Sequence, residues 1–247
     1  MKPLILGLGL LVMSLGAHAE TAPDPMDALV AEYETYVRAV NPDQAARDDG
    51  SAARQWRDVS PDAVAAQAVR AQDILLRIES VETSRAVDKA ILGRLLRSDL
   101  DDAQYDAARI PFTGDWGFQA EPIFAAMQTT LDSQEDAEAW IARLNDVPRY
   151  FAENIENMRR GIATGWTANA DPLGTMTDQI REQIVTDPAE SSLFTPFASL
   201  PADMDPETAA RLRADGLEAV SHAVTAYQDT LRFIVTEYAP HARAGAG

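Results

Sequence analysis

The sequence predicts an all-α protein of about seven to eight helices, with a long C-terminal helix and no sheet. Three observations carry this reading. Apolar residues recur at helical spacing in nearly every long segment. Asp-Pro and Ser-Pro pairs punctuate the chain where those segments begin. No segment alternates polar and apolar residues as a half-buried strand does. The 43 alanines among 247 residues point the same way, because the best helix former is also the commonest small core residue here.

The chain opens with an export signal over residues 1–19. Lys2 supplies the positive start, residues 4–15 (LILGLGLLVMSL) the apolar stretch, and Ala17-His18-Ala19 the small-residue cleavage site. The apolar stretch is shorter than the roughly 20 residues a membrane span needs. Cleavage between Ala19 and Glu20 leaves residues 20–247 as one helical domain, periplasmic or secreted, with no membrane span.

Asp24-Pro25 opens the first helix, residues 25–40, with Leu29, Tyr33, Tyr36, Val37 and Val40 in register. An Asp or Ser before Pro is a natural start: the side chain accepts a free backbone N–H, and Pro lacks the N–H that would be orphaned. The same pairing appears at Ser60-Pro61, Asp171-Pro172 and Asp205-Pro206. The second helix runs over 61–79 with Val64, Ala68, Ala71, Leu75 and Ile78 on one face. A third covers about 84–107. Its two adjacent rows, Val87-Ile91-Leu95 and Leu92-Leu96-Leu100, predict a wide core-facing stripe. Pro111, Gly114 and Gly117 break the pattern in 108–120, and a short helix follows over 121–131.

Ser133 caps the next helix, where Ala137, Trp140, Ile141 and Leu144 fit helical spacing. Residues 147–163 repeat the theme with Tyr150, Phe151, Ile155, Met158 and Ile162, and Gly165 is the stop. A helix from Asp171-Pro172 carries Leu173, Met176, Ile180 and Ile184. Residues 187–204, with Pro188, Pro196 and Pro201, read as a loop. The last helix, about 206–238, places Leu217, Val220, Val224, Tyr227, Leu231, Ile234 and Tyr238 at alternating steps of 3 and 4. That heptad face is expected to be buried within the molecule. An exposed apolar patch is expected elsewhere, near the C-terminal end. Leu231→Ala is expected to cost about 2–5 kcal/mol, as a buried Leu does.

Composition excludes several function classes. A formal charge of −18 repels phosphate, so no nucleic-acid partner is expected. No Cys means no thiol nucleophile, disulfide or Cys-held metal. There is no H-E-x-x-H, G-x-S-x-G or phosphate-binding Gly loop. Glu218 and His222, four residues apart, suit an exposed ion pair better than a metal site, since no third ligand is in register. Asp99, Asp101 and Asp102 begin like a calcium loop, but Gln104 and Ile110 stand where Gly and Glu are required. Arg159-Arg160 read either as a carboxylate holder or as dipole partners late in a helix. Phe112, Trp116 and Phe118 sit in a Gly-rich loop and read either as core plugs or as cleft-lining residues. No catalytic, cofactor-binding or metal-ligating residue is assigned.

Residues 133–165 (SQEDAEAWIARLNDVPRYFAENIENMRRGIATG) pair a capped W-x-x-R-L helix with V-P-x-Y and R-x-G-I-A-x-G. With LLRSDLDDA at 95–103, SSLFTPFASLP at 191–201 and AYQDTLRFIVTEYAPHAR at 226–243, this order resembles the N-terminal half of domain-of-unknown-function family 885, a set of exported bacterial proteins. The resemblance implies a longer helical protein whose C-terminal half looks like a zinc peptidase, with zinc held there and not in this chain. The chain departs locally at Thr167-Ala168-Asn169-Ala170-Asp171-Pro172, where the family usually has a Pro-rich stretch. The expectation is an exported N-terminal segment that forms a channel wall and packing surface, with a peptide substrate or the missing catalytic half as partner. The alternative is a stand-alone periplasmic binding or scaffold module. Mass spectrometry of exported protein is expected to give Glu20 as the first residue; retention of Met1 or Lys2 overturns the cleavage site.

Overall fold

The computed structural model describes residues 24–114 and 116–244. The expected export signal over 1–19 and its Ala19/Glu20 junction lie outside the described residues. Among the described residues nine α-helices follow in order: α1 (Pro25–Val40), α2 (Pro42–Asp49), α3 (Pro61–Ser80), α4 (Ala86–Gln104), α5 (Glu121–Gln128), α6 (Gln134–Asn145), α7 (Val147–Thr164), α8 (Asp171–Glu182) and α9 (Pro206–Phe233). No strand forms among the described residues; only isolated bridges pair Phe112 with Gly117 and Asn169 with Arg243.

The starts follow the expected chemistry. Asp24 Oδ1 accepts from Met26 N at 2.9 Å, Ser60 Oγ from Ala63 N at 3.3 Å, and Asp205 Oδ2 from Thr208 N at 2.9 Å. Ser133 Oγ accepts from Asp136 N at 3.1 Å. Asn41-Pro42 uses the same arrangement to open α2, a helix the apolar periodicity does not announce because Ala46 is its one buried residue. Gly165 ends α7 in the left-handed region at φ 71°.

Asp171-Pro172 departs from expectation. Asp171 is the first helical residue and caps nothing. The Ala170 N–H is taken by Arg243 O and the Arg243 N–H by Ala168 O, both at 3.0 Å, and Ala170 is already helical, so α8 begins a residue early. The expected loop over 187–204 also contains structure: a 3-10 helix (Ser192–Ser199) buries Leu193, Pro196 and Phe197. The final helix widens after Phe233 into a π-helical turn, Ile234–Tyr238.

Two apolar cores result. The smaller lies among α1, α3 and α4 and holds Met26, Leu29, Tyr36, Ile74, Leu75, Ile78, Leu92 and Leu96. The larger is built by α5 to α9 around an aromatic centre, where Phe151 meets Tyr227 edge-on at 4.9 Å and Phe118 at 5.2 Å. Buried tyrosine hydroxyls find partners: Tyr227 donates to Gln119 O, and Tyr238 accepts from Ala168 N, each at 2.8 Å.

The stripe expected on α4 is half right. Leu92 and Leu96 are buried and Leu100 packs against them, but Val87, Ile91 and Leu95 face solvent, because α1 and α3 cover one side of α4 only. Val69 and Leu76 of α3 are exposed as well. The exposed apolar row therefore lies on α3 and α4; on α9 and its π-helical turn, only Val235 stands out in this way among the described residues.

Helix α9 packs on α6, α7 and α8 at once, so its buried face is wider than a heptad seam and includes Ala209, Leu212, Gly216, Ala219 and Ala223. Gly216 is required there: a Cβ would stand 2.4 Å from the buried Phe197 ring. Leu217 and Leu231 sit at the margins of this face and are half-buried. The Leu whose truncation carries the full core cost is thus Leu212. Leu212→Ala is expected to lose about 2–5 kcal/mol and Leu231→Ala clearly less. Paired melts that reverse this order overturn the assignment of the α9 face.

Candidate functional site

Between α2 and α3 the chain leaves the smaller core, crosses the larger one, and returns. This strap, residues 51–60, has no strand beside it to pair with its backbone groups, so they need other partners. Side chains of α7 and of the junction before it supply them. Trp56 N–H donates to Asp146 Oδ2 at 2.7 Å, and Trp56 O accepts from Arg149 Nη2 at 2.8 Å. Val59 N–H donates to Glu153 Oε2 at 3.0 Å, and Val59 O accepts from Asn157 Nδ2 at 2.7 Å. Positions 146, 149, 153 and 157 step by 3 and 4, which places them on one helical face. Arg149 also grips Asp146 and Glu153, at 2.7 and 2.6 Å. Its hydrogen bonds to Asp146, and then to Glu153, hold its guanidinium above the ordinary arginine range.

Trp56 is the strap's anchor. Its indole N–H donates to Arg143 O at 3.0 Å, the Arg143 guanidinium lies 3.9 Å from its ring centroid, and Tyr150 stacks on it at 5.6 Å. The same guanidinium binds Asp43 at the start of α2 with two contacts of 2.8 Å. Arg143 thus ties the strap, α2 and α6 together.

The strap is one wall of a cleft of about 490 Å³ between the two cores. Trp56, Arg57, Asp58 and Val59 line that wall; Val64, Gln67 and Ala68 of α3 and Asp99, Asp102 and Ala103 of α4 line the opposite one. Tyr36, Asp43 and Glu121 close the ends. Five carboxylates face Arg57, the one cation among the lining residues. Glu121 is committed: Arg57 binds it at 2.7 Å and the Tyr150 hydroxyl donates to it at 2.8 Å. Asp43 belongs to Arg143. Asp58, Asp99 and Asp102 make no ion pair among the described residues. Hydrogen bonding from Ser60 holds the Asp58 carboxyl below its ordinary range. Asp99 goes the other way: loss of solvation in the cleft and the nearby Asp102 charge raise it, although the Tyr36 hydroxyl donates to it at 3.0 Å. Burial and the Asp99 charge push the Tyr36 hydroxyl up, so it stays a donor.

Sequence reasoning did not assemble this site. It singled out Phe112, Trp116 and Phe118, and none of the three lines the cleft. Thr113 N–H bonds to Trp116 O at 2.6 Å and Phe112 bridges Gly117; this tight turn sends Phe112 and Phe118 into the core and Trp116 to the surface. Asp99, Asp101 and Asp102 lie on α4, where Asp99 and Asp102 reach the cleft. His222 turns away from Glu218: its Nδ1 lies 2.8 Å from Asn145 Oδ1. Arg159 is paired with Glu237 at 2.8 Å and Arg160 with Asp106, so neither is open to a substrate carboxylate. Among the described residues no three His, Asp or Glu side chains converge to hold a metal, and no helix is long and apolar enough to cross a membrane.

The family described as "Bacterial protein of unknown function (DUF885)" matches residues 42–247. No curated protein matches the chain.

Arg149→Met leaves the largely buried Asp146 and Glu153 carboxylates without their cation. It is expected to cost about 1–3 kcal/mol, towards the low end because Arg149 itself is partly solvated. It is also expected to speed hydrogen exchange at the Trp56 and Val59 amides; exchange unchanged at both would show that the strap is held by other contacts.

Proposed function

The chain belongs to the DUF885 family, and on that premise we propose that it is an exported, non-catalytic helical segment that holds a cationic group in the cleft between its two cores. In the zinc-peptidase-like architecture that the sequence resembles, this segment is a wall of the substrate path, and the chemistry resides in other residues. One observation carries the reading: Asp58, Asp99 and Asp102 line a cleft of about 490 Å³, make no ion pair among the described residues, and share it with one cation, Arg57, which is bound to Glu121. Low-dielectric walls focus the field of such a group and raise the local concentration of cations. An ammonium or guanidinium placed there relieves the repulsion between Asp99 and Asp102 and donates charge-assisted hydrogen bonds to their carboxylates. The exposed apolar row on α3 and α4 supports a companion role as a packing surface for a further helical element.

The test is a titration of the purified chain with acetyl-arginine amide and acetyl-glutamate amide, followed through the Trp56 indole signal by NMR. Only the arginine compound is expected to bind. Asp99→Asn should weaken it roughly tenfold, as loss of one charge-assisted contact of about 1.5 kcal/mol does. Protonating Asp99 removes a negative charge, so affinity should fall as pH drops through its raised range, before ordinary carboxylates titrate. Equal response to both compounds, or to neither, overturns the cleft as a cation site. One tightly held zinc per chain, or hydrolysis of a peptide, overturns the non-catalytic assignment.

A further inference from the structure

Helix α5 begins inside the cleft and leads out of it. Glu121, its first residue, lines the cleft; Phe124 and Met127 follow at steps of three on the outer surface. Trp116, from the tight turn before α5, lays its ring 4.7 Å from that of Phe124 at 39°. These are large apolar side chains in water: Trp116 is 51% exposed, Phe124 39% and Met127 75%. The core does not use them. The turn that buries Phe112 and Phe118 holds Trp116 outward, and the face of α5 that packs inward is that of Pro122 and Ala126.

We propose that Trp116, Phe124 and Met127 form a docking platform for a large apolar side chain of the same ligand whose cationic group sits in the cleft, which makes that ligand an extended peptide with a basic residue and an apolar residue close to it. The proposal rests on the cleft reading above. Charge complementarity selects the occupant: the platform follows Glu121, which closes one end of a cleft where Asp58, Asp99 and Asp102 make no ion pair, so a partner covering both must be apolar on one side and positive on the other. The spacing suits an extended chain. Successive steps of three residues along α5 rise about 4.5 Å each, so the platform spans roughly 4.5–9 Å beyond Glu121. An extended peptide advances about 3.3 Å per residue, which places the apolar side chain one to three residues from the basic one. Aromatic side chains half-exposed beside a polar cavity are the composition that anchors peptide partners, because they bury large area at low entropic cost.

The experiment titrates the purified chain with three acetylated, amidated tripeptides: Arg-Gly-Phe, Arg-Gly-Gly and Glu-Gly-Phe. Arg-Gly-Phe is expected to bind about tenfold more tightly than Arg-Gly-Gly, the change that burying one large apolar side chain produces. Trp116→Ala should remove that preference and leave Arg-Gly-Gly unchanged, while Asp99→Asn should weaken both arginine peptides by the same factor. Met127→Glu, a change at a solvent-exposed position that the fold does not need, should reduce the Phe preference without touching the core. Equal affinity for Arg-Gly-Phe and Arg-Gly-Gly, or a Phe preference that survives both platform variants, overturns the platform and leaves the cleft standing. Glu-Gly-Phe binding as tightly as Arg-Gly-Phe overturns the cleft reading itself, and with it the pairing of basic and apolar residues.

Discussion

The structure depends on a backbone that has no secondary structure to satisfy it. Residues 51–60 cross the larger core without a neighbouring strand, yet at Trp56 and Val59 both the N–H and the C=O are paired. Asp146, Arg149, Glu153 and Asn157 do what an adjacent strand would do, from one face of α7. The arrangement alternates acceptor, donor, acceptor, donor, matching the order of groups along the strap. It works only because Arg149 sits between Asp146 and Glu153 and neutralises them; two carboxylates this close to buried backbone would otherwise repel each other and lose the geometry. The alternative of leaving those peptide groups unpaired costs on the order of 1–3 kcal/mol each, which explains why four polar positions are devoted to one short segment.

The cleft follows from this clamp. The smaller core reaches the larger one through the strap, through Asp43 on Arg143, and through the turn after α4. That turn places Asp106 in the left-handed region at φ 51°, a conformation Asp tolerates better than most side chains, and uses its carboxylate to hold Arg109 and Arg160. With the strap fixed against α7 and α4 fixed by its exit turn, the two walls are held apart. Both mix apolar side chains, Trp56 and Val59 against Val64 and Ala68, with Arg57, Asp58, Gln67, Asp99 and Asp102, whose charge and polarity oppose closure of the gap.

The helices were legible in the sequence because their cause is local. Period and cap sit within a few residues of each other, so Ser60-Pro61 and Asp205-Pro206 announce α3 and α9 directly. Where a distant partner intervenes, the local signal misleads: Arg243 pairs with Ala168 and Ala170 and shifts the start of α8, and nothing near Asp171 records it. Leu95 and Leu96 look equivalent in a helical stripe, and which of them is buried depends on where α1 and α3 lie. The site was illegible for the same reason. Its carboxylates come from α2, the strap, α4 and α5, segments separated by tens of residues, and the clamp on α7 reads in sequence as an ordinary solvated face. Asp99 and Asp102 did stand out, but as a failed calcium loop. Trp116 stood out for the right reason, an aromatic residue in a Gly-rich turn, but that turn delivers it to the surface beside the cleft and not into it.

The charge balance gives these carboxylates their meaning. A chain with 39 acidic and 21 basic residues must leave many acids unpaired, and most of them on exposed helix faces cost nothing, since water and salt screen them. The protein spends its arginines where carboxylates are structural: Arg143 on Asp43, Arg57 on Glu121, Arg149 on Asp146 and Glu153. Asp58, Asp99 and Asp102 are left over. They are solvent-exposed but line a common concavity, and partial loss of solvation there raises the Asp99 carboxyl. Arg70 is close enough to lie 5.9 Å from the Tyr36 ring, yet it makes no ion pair with Asp99. A neutral Asn at position 99 would relieve the repulsion and still accept the hydrogen bond from the Tyr36 hydroxyl. The negative charge at position 99 is thus a burden the fold itself does not require, and on the proposed reading a positively charged ligand in the cleft would turn that burden into binding energy.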